Sequence, residues 1–215
     1  MDKVVAIISQ KGGPGKTMLT TNLSTAAMRA GHSVVVIDTD PQCSATRWWD
    51  RRRETLQNKK PYVVAAPTPR LEYLLELSEE NGATFAFIDT APNIEAPVLE
   101  AARAASFVLI PSHPASVDLE AIPSTIDVVK RAEKKSRVVF NAVRSGSNIG
   151  REAQAHAKDL GLSCVPFEIG DRVGFVRAFN EGSTVLEAEP NSKSAREIQR
   201  LYNYLEKEME VSHEG

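Results

Sequence analysis

The sequence predicts an α/β fold, a single domain built on a mostly parallel, twisted sheet of about seven strands flanked by helices. Three observations predict it. Short apolar, β-branched runs are continuous rather than alternating, the pattern of strands buried on both faces. Longer segments of helical character fall between them, as in right-handed βαβ units. A glycine-rich loop joins the first run to the first helical segment, the strand–loop–helix order of a phosphate-binding loop.

Taken in order, strands are expected at 4–8, 33–37, 62–66, 85–88, 107–110, 137–142 and 163–167. Helices are expected at 15–30, 43–58, 70–81, 95–104, 119–135, 150–160, 173–181 and 192–209. Pro67, Pro69, Pro111, Pro114 and Pro166 fall just beyond strand ends, where a missing N–H is harmless. In the last helix Ile198, Leu201, Tyr202 and Leu205 recur at helical spacing and form a core-facing stripe. The domain spans 1–210, and 211–215 reads as a frayed tail.

Composition bounds the function. With 42% hydrophobic and 25% charged residues, a chain of 215 residues buries a core without metal or disulfide staples. Its 26 basic and 28 acidic residues give a net charge of -2, which argues against a small, wholly basic DNA-binding protein but leaves room for a local basic patch. Cys43 and Cys164 match no metal-ligand spacing and read as buried thiols in a reducing compartment. No apolar run approaches the length of a membrane-spanning helix, and Met1-Asp2-Lys3 leads straight into Val4 without a signal-peptide layout. A cytoplasmic protein is expected.

In open parallel sheets, ligands sit beyond the carboxyl ends of the strands. The loop after the first strand reads Ser9-Gln10-Lys11-Gly12-Gly13-Pro14-Gly15-Lys16-Thr17. Gly12, Gly13 and Gly15 let backbone amides turn toward phosphate oxygens, and the helix start adds its positive dipole end. Lys16 suits the β/γ-phosphates, and the Thr17 hydroxyl suits Mg²⁺. Pro14 removes one donor from this cradle. After the second strand, Asp38 and Asp40 leave the strand end in one direction, where carboxylates hold Mg²⁺ or orient water; capping of the next helix is the alternative. Asp89 ends the fourth strand, a Walker B arrangement that places it near Mg²⁺.

Lys11-Gly12-Gly13-Pro14-Gly15-Lys16-Thr17 resembles the deviant Walker A motif of the ParA/MinD ATPases, and the resemblance extends over nearly the whole chain, most of all to the short plasmid-type ParA proteins. It implies an ATP/ADP- and Mg²⁺-binding ATPase that forms an ATP-dependent sandwich homodimer. Lys11 is then the signature lysine that reaches the partner's ATP, Asp40 positions the hydrolytic water, and Thr17, Asp38 and Asp89 serve the metal. Met18 stands beside the cradle where a second Thr is common. The family also implies adenine contacts from Asn141 and from the backbone at Pro166 and Phe167, although an Asn at a strand end is equally a turn residue. No added helix-turn-helix precedes the first strand, so the repressor branch of the family is not expected.

Three purposes compete for such an ATPase: DNA partition, membrane-based positioning, and positioning of a protein cargo on the nucleoid. The partition reading expects nonspecific DNA binding in the ATP state and a centromere-binding ParB-like partner. The cargo would be a chemoreceptor cluster or microcompartment. The acidic end of the last helix, Glu206, Glu208 and Glu210, disfavours binding to anionic lipid. Three basic clusters are candidates for DNA: Arg47, Arg51, Arg52 and Arg53 with Lys59 and Lys60; Lys130, Arg131, Lys134, Lys135 and Arg137; and Arg172, Arg177, Lys193, Arg196 and Arg200. The resemblance favours the third. Trp48 and Trp49 suit either stacking on bases or packing of helix on sheet.

Overall fold

The computed structural model describes residues 1–92 and 95–210, Glu95 by its backbone alone. The chain runs β1 (Val4–Ile7), α1 (Lys16–Arg29), β2 (Val34–Asp38), α2 (Ser44–Thr55), β3 (Tyr62–Ala65), α3 (Leu71–Glu80), β4 (Phe85–Asp89) and α4 (Glu95–Ala104). It continues through β5 (Phe107–Ser112), α5 (Ser116–Leu119), α6 (Ile122–Arg131), β6 (Ser136–Phe140), α7 (Ile149–Asp159), α8 (Val173–Asn180), α9 (Val185–Ala188) and α10 (Lys193–Glu210). Six parallel strands lie in the order β3-β2-β4-β1-β5-β6. The chain winds from β1 first toward one edge and later toward the other. The loop after β1 therefore sits at the switch point, where such sheets open a crevice.

Alternate strand residues feed two cores. Val5, Ile7, Val36, Phe85, Phe87 and Leu109 pack under α1, α2, α8, α9 and α10. Ala6, Ile8, Ile37, Ile88, Val108 and Ile110 pack under α3, α4, α6 and α7. Burial on both faces explains why β1, β2, β4 and β5 read as continuous apolar runs, whereas edge strand β3 buries only Val63. The stripe Ile198, Leu201, Tyr202 and Leu205 is buried, as its spacing predicts.

Several expectations are corrected. There are six strands among the described residues, not seven. The segment at 163–167 makes only an isolated bridge, Val138 to Cys164, before a second bridge joins Val143 to Gly170. Val165 donates to Val138 O and Ile169 to Phe140 O, so this segment uses four residues where β6 uses two, and the chain bows away from β6 between the two bridges. The helix expected at 119–135 divides into α5 and α6, because Pro123 in the first turn of α6 cannot donate to the preceding turn, and Glu133 at φ 56 lies beyond its end. Pro111 lies inside β5 rather than beyond it. The Val108 amide points to the β6 side, so the nitrogen of Pro111 faces the β1 side, past the last β1 pairing at Leu109. Cys43 and Cys164 are half-buried free thiols, not buried ones. The tail expected at 211–215 lies outside the described residues, among which no helix is long and apolar enough to cross a membrane.

In the first basic cluster Arg47, Arg53, Lys59 and Lys60 are exposed, whereas Arg52 is structural. Arg52 is fully buried: its Nη1 donates to Glu187 Oε2 at 2.8 Å and to Gly182 O at 3.1 Å, its Nη2 bonds Glu187 Oε1, and its Nε donates to Lys60 O at 2.6 Å. Trp48 is buried beside it and donates its indole N–H to Ser183 O at 2.9 Å. Packing, not base stacking, is the role of this tryptophan. Trp49 is half-buried, with its indole N–H on Lys59 O at 3.0 Å and Arg53 stacked 4.7 Å from its ring. Arg52→Ala removes the charge partner of Glu187, which keeps only its Thr184 contacts, and the donor to two carbonyls, and is expected to cost about 3 kcal/mol, read as a lower urea midpoint.

Candidate nucleotide-binding site

The loop from Ser9 to Gly15 carries the crevice. Gly15 sits at φ 87 immediately before α1, and a Cβ there would meet Asn141 Nδ2 at 2.3 Å. Both conformation and space therefore require glycine at this position. Asn141, at the end of β6, donates from Nδ2 to Pro14 O at 2.8 Å, while its Oδ1 is buried with no hydrogen-bond partner. Lys16 is buried, its ammonium on Ser9 O at 3.4 Å and Lys11 O at 3.3 Å. Burial pulls its pKa down, and the carboxylates of Asp89 and Asp40 push back. Met18 is half-buried against the core.

Oxygen donors converge beyond this lysine. Thr17 Oγ1 donates to Asp89 Oδ2 at 2.7 Å, and Thr20 Oγ1 to Asp89 Oδ1 at 3.2 Å. Asp89 is completely buried, and burial pushes its carboxyl up to about 7 against the pull of the Thr17 hydrogen bond. Asp38 is buried beside it, and burial raises its pKa as well. Asp38 Oδ2 accepts from the Thr46 amide and hydroxyl, both at 2.9 Å, and Oδ1 from the Asp40 amide at 3.2 Å. Asp38 thus caps α2 from the strand, so the capping alternative is realised in this residue. Asp40 is half-buried and accepts from the Gln42 amide at 2.8 Å. Two buried carboxylates whose charge burial opposes, next to a hydroxyl, form a hard-oxygen donor set of the kind Mg²⁺ takes.

Lys11 lies on the near side of the crevice. Its Nζ is 3.0 Å from Asp118 Oδ1 and donates to Val117 O at 2.6 Å, both on α5. In the single chain it is held in cis. Thr20, Thr46 and Asp118 were not foreseen from the sequence. The only signal for Thr20 is its spacing of one turn from Thr17, and nothing local marks the other two.

The third basic cluster divides. Arg172 pairs with Glu197 at 2.7 Å, and Arg177 lies apart on α8. Lys193, Arg196 and Arg200 line a groove of about 610 Å³ with Arg151, Pro166 and Phe167. Arg200 stacks 4.0 Å from the Phe167 ring centre. In the second cluster, Lys135 and Arg137 pair with Glu208 at 3.1 and 2.8 Å.

The family model described as the CobQ/CobB/MinD/ParA nucleotide binding domain matches residues 5–185. The chain is 32% identical over 213 residues to the maintenance of carboxysome distribution protein A of Gloeobacter kilaueensis, covering 97% of this chain and 94% of the relative. It is 30% identical to the chromosome partitioning protein ParA of Caulobacter vibrioides, over 60% of this chain and 62% of the relative. Its fold is similar to that of the septum site-determining protein MinD of Pyrococcus horikoshii OT3, solved with Mg-ADP, with a TM-score of 0.75 and 19% identity over 94% of this chain and 95% of that one.

Proposed function

The chain belongs to the CobQ/CobB/MinD/ParA nucleotide-binding family, and on that premise we propose that it is a Mg²⁺-dependent ATPase that closes into an ATP-bound dimer and distributes a protein cargo, of the microcompartment class, over the nucleoid. The observation that carries the cargo is the likeness to a carboxysome distribution protein along 97% of the chain. Partition proteins match along nearly as much of the chain but at lower identity, 26% over 92% for the chromosome-partitioning ATPase Soj of Thermus thermophilus, which supports DNA partition less well. The ParB-like partner expected for partition gives way to an adaptor on the cargo.

The residues divide the work. The amides around Gly12, Gly13 and Gly15 and the ammonium of Lys16 hold the phosphates. Thr17, Asp38 and Asp89 would hold Mg²⁺, which when bound offsets charge on the β- and γ-phosphates. Asp40 orients the attacking water from the loop after β2. Asn141 offers its unpartnered Oδ1 to the adenine amino group, and the backbone of Pro166 and Phe167 lines the base. Lys11 exchanges Asp118 for the phosphates of the partner's ATP. Lys193, Arg196 and Arg200, joined by Arg151, supply a nonspecific DNA surface, with Arg172 fixed by Glu197 and Arg177 outside the groove. Doubling four cations by dimerisation steepens salt-dependent DNA affinity without a basic chain overall.

Deleting the gene in a host carrying a fluorescent shell-protein fusion tests the cargo. Loss of even spacing with replicon inheritance unchanged is expected. Normal cargo spacing with replicon loss would establish partition instead.

A further inference from the structure

We infer that His113 is a positioning residue for the nucleotide loop: it keeps the Gly13 carbonyl turned away from the phosphates. The inference rests on the nucleotide reading of that loop. His113 follows β5 and is half-buried, with Nε2 3.2 Å from Gly13 O. Gly13 sits at φ 92, a conformation in which its flanking peptide units rotate at little cost because there is no Cβ.

The next residue makes that freedom costly. Pro14 has no N–H, so the peptide unit between Gly13 and Pro14 can present an anion with nothing but its oxygen. In a cradle that works by pointing amides inward, a rotated carbonyl would oppose the phosphate charge and take its space. Two side chains hold the units on either side of the proline. Asn141 Nδ2 takes the Pro14 carbonyl at 2.8 Å, and His113 Nε2 takes that of Gly13. In a trans peptide the C=O and the following N–H point in opposite directions, so tying down the Pro14 carbonyl also aims the Gly15 amide. His113 does the corresponding work on the unit that has no amide to aim. The charged groups sharing its cleft are Lys11 on the loop and Asp118 on α5. Lys16 lies on the far side of the loop, bonded to the Ser9 and Lys11 carbonyls.

The test is titration of the full chain with a fluorescent N-methylanthraniloyl ATP and Mg²⁺, with thermal unfolding and steady-state ATPase alongside. His113→Phe keeps the ring volume and removes the donor; it is expected to weaken binding about tenfold and raise KM with kcat retained. His113→Gln supplies an amide donor and is expected to recover affinity to within about threefold of the parent chain. Parent-like affinity in His113→Phe, or equal weakening in both variants, would overturn the role of His113 alone. No binding by the parent chain would remove the nucleotide reading and this inference together.

Discussion

Lys16→Ala is expected to weaken ATP binding by about 100-fold or more, measured by calorimetric titration with Mg²⁺. The ammonium is buried and bonded to the carbonyls of Ser9 and Lys11, inside the loop that bends around the phosphates. Burial disfavours its charge, and Asp89 and Asp40 only partly restore it. A triphosphate supplies what the lysine lacks, through charge-assisted hydrogen bonds of about 1.5–3 kcal/mol each. Two such bonds account for the expected loss. The substitution also relieves an apo-state burial cost, so the fold should survive and unfolding temperature should not fall with affinity. Tight binding by a folded Lys16→Ala chain would move the nucleotide elsewhere.

Asp40→Ala is expected to bind ATP but lose turnover by about 100-fold, the scale of a positioned general base or water-orienting group. Asp40 also accepts the Gln42 amide at 2.8 Å, so alanine removes a turn contact along with the charge. Asp40→Asn separates the two, because it keeps an acceptor for Gln42 and loses the negative charge. Turnover lost equally in both variants assigns the effect to the carboxylate. Turnover retained in Asp40→Asn would reduce Asp40 to a turn residue.

What the sequence made legible follows from the range of the forces involved. The six strands and the core stripe of α10 are written in local periodicity. The phosphate loop, Asp38, Asp40 and Asp89 are written in their positions at strand ends, where topology alone decides what they face. Long-range pairing is not written locally. Arg52 reads as one of three consecutive surface arginines, yet Glu187, 135 positions away, takes it into the core. Arg172 is likewise bound by Glu197 and is no free phosphate contact. The seventh strand is not formed because the chain bulges after Val165, using four residues to Ile169 where β6 uses two, a spacing that local apolar character does not reveal. Lys11 was legible as an unusual lysine, but its cis contact with Asp118 depends on where α5 lands.

If ATP pairs two copies through this site, light scattering of the Asp40→Ala chain with Mg²⁺ and ATP is expected to give twice the mass of one chain, and with ADP the mass of one. The same mass with both nucleotides, at concentrations that saturate binding, would contradict it.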